Sequence, residues 1–273
     1  MLISPSPMDQ PSSARSSSSG SSQRIVLPNV RKLFIPDPGC VIVDADLTGA
    51  DALVVAAESN DDDLIQKILS GYDLHTENAN ELFGPEFSNL PPKHHRRHAI
   101  RQQLKSGVHG TNYGAAARTL AVTFGWRVAV AERFQTNWFR KHPGVKDWHF
   151  RVQADLRLHR RVSNKFGYRI IYFDRLDSLF TQALAWIPQS TVAEVCFRGA
   201  LHIENSFPFI QMLLQVHDSL VFQIPSHRFE PGTIEAIRKT LSSISVPYPN
   251  PLFIPWKLSA STVSWGDCEE IKS

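Results

Sequence analysis

The sequence predicts an α+β protein, an antiparallel sheet carrying two aspartates with a mostly helical insertion between about residues 70 and 160. Three observations lead there. Cys40-Val41-Ile42-Val43 is a short, β-branched apolar run of the kind that forms a buried strand. Met212 to Ile224 reads as strand, tight turn and strand, with the polar pair His217-Asp218 between apolar flanks. The stretch between them is dominated by helical patterns and contains no internal repeat.

Taken in order, Ser12 to Ser22 is Ser-rich and low in hydrophobicity, so residues 1–24 are expected to be flexible and ordered structure to begin near Ile25. After the first strand, Ala50–Ala57 reads as helix. Asp61–Leu69 reads as another, its acidic start suiting the positive end of a helix dipole. A long helix is expected from about His95 to Phe124, then helices over Val128–Arg140 and Val145–Arg160. Alternating Tyr and Ile make Phe166–Phe173 strand-like, and a helix follows over about Ser190–Asn205. Pro231–Ser243 is helical, Phe253–Ser259 forms a closing strand, and the chain runs on to Trp265-Gly266-Asp267.

With 273 residues, 42% of them hydrophobic, the chain can bury a substantial core. No apolar run approaches the roughly 18 residues that span a bilayer, and Met1–Gln10 lacks the basic and apolar stretches of a secretory signal. Cys40, Cys196 and Cys268 are widely spaced and read as reduced thiols, which points to an intracellular protein. The net charge of +3 is modest, but cations cluster at Lys93–Lys105 and at Arg157, His159, Arg160 and Arg161. A solvated helix face is the ordinary reading of one such block; two of them favour a polyanionic partner.

Three constellations carry chemistry. Asp46 ends the apolar strand where a helix begins, so it either caps that helix or projects towards a ligand. Arg101, Lys105, His109 and Tyr113 recur every four residues and share one helix face, suited to a triphosphate with a stacked base and sugar. Gly107, Gly110 and Gly114 weaken that helix by up to about 1 kcal/mol each, so a close approach by a base pair or backbone is expected there. Asp218 sits in a hairpin turn that is a weaker turn former than Asn-Gly, which suggests that its side chain matters. Two aspartates on neighbouring strands could hold two hard cations, with the cationic helix holding a triphosphate opposite.

At these residues the chain resembles the C-terminal polymerase region of family A DNA polymerases, the bacterial DNA polymerase I and phage replicative type, from about Ala14 to Cys268. The fingers-helix pattern and Gln215-Val216-His217-Asp218 are the most specific parts. Leu74-His75-Thr76, Pro188-Gln189-Ser190-Thr191, Phe34-Ile35-Pro36 and Trp265-Gly266-Asp267 support them. The resemblance implies a right hand: palm over 25–70 and 161–273, fingers over 71–160, with thumb and exonuclease domains absent.

By position, it implies that Asp46 and Asp218, with the Leu47 carbonyl, bind two Mg2+ ions. Arg101, Lys105, His75, His109, Tyr113 and Asp51 would meet the incoming dNTP, with Lys105 a proton donor to the leaving pyrophosphate. Gln189, His217, Gly110 and Gly114 would meet primer–template DNA. The implied activity is template-directed DNA synthesis, carried by a fragment or one part of a split enzyme whose thumb or exonuclease another chain supplies. The alternative is an inactive DNA- or nucleotide-binding relic. No membrane is involved, and the expected place is wherever DNA is replicated, the cytoplasm of a prokaryote or phage-infected host. The chain departs from the family pattern at four positions: His109 replaces a Phe or Tyr, Asp51 a glutamate, Leu53 an arginine, and Ser219 the acidic residue after the second aspartate. The Gln189 segment is also one residue shorter than in the bacterial enzymes.

Overall fold

The computed structural model describes residues 29–174 and 176–272. The Ser-rich segment 1–24 and the family-like stretch Ala14–Ile25 lie outside the described residues. After a 3-10 turn at Val30–Leu33, β1 (Cys40–Leu47) leads into α1 (Ala50–Glu58) and α2 (Asp62–Leu69). There follow α3 (Leu74–Phe83), α4 (Pro85–Ser88), α5 (His95–Asn112), α6 (Ala117–Phe124), α7 (Val128–Lys141) and α8 (Pro143–His159). A small hairpin of β2 (Arg161–Ser163) and β3 (Arg169–Ile171) precedes α9 (Leu176–Ser206). The chain closes with β4 (Gln211–Val216), β5 (Ser219–Pro225), α10 (Pro231–Ser242), β6 (Ser245–Val246), β7 (Leu252–Phe253), β8 (Trp256–Ser261) and β9 (Glu269–Glu270).

The main sheet has the order β4-β5-β1-β8-β9, and each neighbouring pair is antiparallel. β1 is central, and the period of two divides its side chains. Val43, Ala45 and Leu47 enter a core shared with α1, α9 and α10, while Ile42 packs on the opposite face with Val221 and Trp265. Asp44 and Asp46 belong to that second face by register. The helical insertion has its own core around Leu104, Phe134 and Trp138, and a third core joins α8, β2 and α9 around Trp148 and Leu184. α1, apolar apart from Asp51 and Glu58, contributes to all three: Leu53 and Val54 to the first, Ala56 to the second, Val55 to the third.

Three expectations are corrected, and a fourth, the strand-like Phe166–Phe173 segment, is made more specific. The helix expected from His95 to Phe124 breaks after Asn112, because Gly114 takes a left-handed conformation (φ 77°) and the Ala115 amide folds back on the Gly110 carbonyl at 2.8 Å. The helix expected from Ser190 begins at Leu176 and runs through Pro188. Pro188 costs about 3 kcal/mol in a helix interior, but the helix links two cores, burying Leu184 and Ile187 before it and Val195 and Ile203 after it. The Thr191 hydroxyl donates to the Ile187 carbonyl at 2.7 Å near the same turn. The closing strand is interrupted by Pro255, which has no amide to give the ladder, so β7 and β8 are separate strands and β8 runs on to Ser261. The strand-like Tyr/Ile segment is half of the β2–β3 hairpin, whose turn Asn164 organises by accepting from the Phe166 and Tyr168 amides, each at 3.1 Å.

Candidate active site

The end of β1 and the β4–β5 turn form one unit. Asp46 stands opposite Ser219 in the antiparallel register, and the Leu47 amide donates to the Asp218 carbonyl at 2.9 Å. The two carboxylates therefore emerge from adjacent strands at the same end of the sheet. His217 makes the turn with φ 55°, a conformation that is uncommon for a residue with a Cβ, and its carbonyl accepts from the Gln215 side chain at 2.7 Å.

Like charges gather here. Partial burial of its carboxylate, then Asp218 and Asp44, push the pKa of Asp46 up to about 6, against the opposing pull of Arg31 and Lys257. Asp44 itself is buried behind Asp46; it accepts from the Trp265 indole at 2.7 Å and from the Ser219 hydroxyl.

Beside Asp218 opens a cleft of about 290 Å³ lined by Asp218, Asp51, His75, Lys105, His109 and Tyr113, whereas Asp46, exposed near the end of β1, lies outside that lining. Of the helix face expected to bind a triphosphate, the structure brings Lys105, His109 and Tyr113 into this cleft, with Lys105 and His109 exposed. The His109 and Tyr113 rings lie 4.2 Å apart, centroid to centroid. Burial raises the pKa of Asp51, and burial followed by the Asp51 charge raises that of Tyr113. The buried Tyr113 hydroxyl faces that carboxylate without a hydrogen bond of good geometry among the described residues.

Arg101 lines the adjoining cleft of about 370 Å³ instead. Its Nε donates to Asp73 at 2.9 and 3.2 Å. Burial, which would raise the pKa of Asp73, is outweighed by the hydrogen bonds from Arg101 and Thr76, and the pKa falls to about 2. His75, at the start of α3, borders both clefts. Burial and then the Arg101 charge lower its pKa, and its Nδ1 has no partner among the described residues.

Gln189 and His217 are exposed, on α9 and in the hairpin turn respectively. The glycines answer to packing. A Cβ on Gly107 would lie 3.0 Å from Phe134, on Gly110 3.0 Å from Leu120, and on Gly114 2.9 Å from Leu184. The close approach expected from a base pair or backbone is made by the protein's own side chains. Sequence reasoning missed Asp44, Asp73 and Asn112. Alternation along β1 could have found Asp44, which shares a face with Asp46. Nothing local marks Asn112, whose side chain accepts from the Trp138 indole at 2.8 Å and whose carbonyl pairs with His149 Nε2 at 2.8 Å, anchoring the end of α5 beside the cleft.

A sheet with two carboxylates at adjacent strand ends, facing a cationic helix across a cleft, has the architecture of a right-hand polymerase palm with helical fingers. The chain belongs to DNA polymerase family A, whose model matches residues 19–263. It is 28% identical over 225 residues to DNA polymerase I of Chloroflexus aurantiacus, covering 79% of this chain and 23% of that protein. With the thermostable DNA polymerase I of Thermus aquaticus it shares 30% over 213 residues, 74% of this chain and 24% of the relative. With the DNA polymerase of Mycobacterium phage D29 the figures are 26% over 237 residues, 87% and 37%. The fold matches the POL domain of Pol1 from M. smegmatis, solved with DNA primer-template and dNTP, at a TM-score of 0.69 and 23% identity over 86% of this chain and 41% of that one. The chain thus spans between about a fifth and two fifths of these proteins' lengths. Among the described residues no helix is long and apolar enough to cross a membrane.

Proposed function

We propose that this chain carries the catalytic centre of a DNA-directed DNA polymerase, joining a dNTP to a primer 3′ hydroxyl with release of pyrophosphate. The observation that carries the reading is the hydrogen-bonded pairing of the Asp46 and Asp218 strand ends opposite Lys105. The donor set fits hard divalent cations. Two carboxylates converge, and partial burial followed by the charges of Asp218 and Asp44 leaves Asp46 with a raised pKa that a cation would relieve. Asp46, Asp218 and the Leu47 carbonyl would hold two Mg2+ ions. Bound there, magnesium would supply activation of the attacking hydroxyl and charge neutralisation on the phosphates.

The protein's own groups do the rest. Lys105, exposed in the cleft, meets the triphosphate and protonates the leaving pyrophosphate oxygen. Arg101 and His75 add phosphate contacts, Arg101 by exchanging Asp73 for the nucleotide. Asp51, His109 and Tyr113 line the sugar and base end. Gln189 and His217 contact primer and template. Duplex grip comes largely from phosphate contacts, so a thumb-like element, on this gene product or another chain, completes the hand.

The test is primer extension by the folded chain with magnesium, with and without candidate partner chains. Templated extension that disappears in Asp46→Ala and Asp218→Ala supports the proposal, and no extension under any condition sinks it. The closure of Arg101 on Asp73 favours a second reading, a binding relic whose phosphate clamp stays shut. That reading expects DNA affinity indifferent to both aspartate substitutions and no incorporation.

A further inference from the structure

We propose that Asp44 is a positioning residue for the Asp46–Asp218 pair: a buried carboxylate on β1 that ties the first residue of β5 to the C-terminal Trp265. The inference rests on the reading of that pair as a metal site.

A carboxylate only 8% exposed needs donors to offset its lost hydration. Asp44 has no cation in salt-bridge range among the described residues, and both its oxygens are committed to neutral donors. Oδ2 accepts from Trp265 Nε1 at 2.7 Å, and Oδ1 accepts from Ser219 Oγ. It is therefore placed to orient other groups rather than to ligate an ion.

What it orients follows from the register. Asp46 pairs with Ser219 and Asp44 with Val221, so Asp44, Asp46 and Ser219 share one face of the sheet. Ser219 directly follows Asp218. The turn carrying Asp218 is thus pinned to β1 twice, by the main-chain bond from Leu47 to Asp218 and by the side-chain bond from Ser219 to Asp44. The second pin restrains a turn that contains the left-handed His217.

Trp265 fixes the other end. Its ring lies 4.4 Å beneath the Arg31 guanidinium and meets Phe34 edge-on at 5.8 Å, so the indole N–H that holds Asp44 is itself held. Ser219 stands where the family pattern has an acidic residue. In this chain a carboxylate beside the pair stands across the strands, on β1, and Asp44 and Ser219 form one hydrogen-bonded unit.

The experiment titrates Mn2+ into the full chain, read by the loss of the free-ion paramagnetic resonance signal, with thermal melting of every variant recorded alongside. Asp44→Asn and Asp44→Ser are expected to weaken Mn2+ binding by about tenfold or more, as outer-shell substitutions at metal sites do. Ser219→Ala, which leaves the buried carboxylate on Trp265, is expected to weaken it by about threefold to tenfold. The reciprocal double variant, Asp44→Ser with Ser219→Asp, is expected to bind more tightly than Asp44→Ser alone, a recovery that a general packing defect would not produce.

Wild-type affinity in Ser219→Ala or in folded Asp44→Asn overturns the proposal. So does a double variant no better than Asp44→Ser, and so does a wild-type chain that binds no Mn2+. Should the Asp44 variants fail to fold, Ser219→Ala decides alone. The expected pattern in a chain that incorporates no nucleotide would leave the positioning role standing and remove the polymerase reading.

Discussion

The Leu47 amide donates to the Asp218 carbonyl at 2.9 Å, so the strand end bearing Asp46 and the turn bearing Asp218 are joined as one hydrogen-bonded unit. Asp218→Ala leaves that main-chain bond in place and removes only the carboxylate. Incorporation should fall by at least about 100-fold, with the melting temperature not lowered. A preserved rate would show that the side chain has no part in the reaction.

The raised pKa of Asp46, about 6, sets a pH dependence. Between the ordinary carboxylate value near 3.8 and 6, the folded chain binds more protons than the unfolded one. Asp46 therefore lowers stability as pH rises through that window, and the deficit is complete above about pH 6. Asp46→Asn should melt higher than wild type at pH 7.5, with the difference shrinking towards pH 4. Magnesium should raise the wild-type melting temperature at pH 7.5 and leave that of Asp46→Asn less changed. Melting curves at both pH values check this, and a pH-independent difference would count against it.

Asp73 holds Arg101 through its Nε while also capping α3 by accepting from the Thr76 amide at 3.1 Å. Asn caps helices as well as Asp does, so Asp73→Asn isolates the ion pair. Freed of it, Arg101 should bind a triphosphate about twofold to fivefold more tightly, the scale of a partly exposed salt bridge. Titration with a fluorescent dNTP measures this; unchanged or weaker affinity would mean that Asp73 orients Arg101 rather than occupying it.

Two Pro-Gly steps open helices, Pro143-Gly144 on α8 and Pro231-Gly232 on α10. They should respond oppositely to alanine. A Cβ on Gly144 would drive into the Ser59 carbonyl oxygen, whereas a Cβ on Gly232 would meet nothing within 4 Å. Gly144→Ala should cost about 1–3 kcal/mol, and Gly232→Ala should gain about 0.4–1 kcal/mol by restricting the unfolded chain. Urea denaturation of the pair decides it.

Much of this was legible in the residues. The apolar runs around Asp46 and Asp218 marked three strands, and those strands proved to be neighbours in one antiparallel sheet. The fourfold spacing on α5 placed Lys105, His109 and Tyr113 on one cleft, as local helix geometry requires. Other features were not legible. The break at Gly114 and the passage of α9 through Pro188 were decided by burial against distant helices, which overrides local propensity.

The sequence by itself determined the strand and helix periodicities, the two carboxylates and the cationic helix, because these depend on neighbours within a few residues along the chain. Only the tertiary structure decided how they combine. It turned Arg101 towards Asp73 and away from the cleft that holds Lys105, filled the space beside the glycines with Leu120, Phe134 and Leu184, and set Trp265 beneath Asp44, a contact spanning 221 positions. Such contacts depend on which surfaces meet when three cores close around α1, and no local pattern in the chain encodes that meeting.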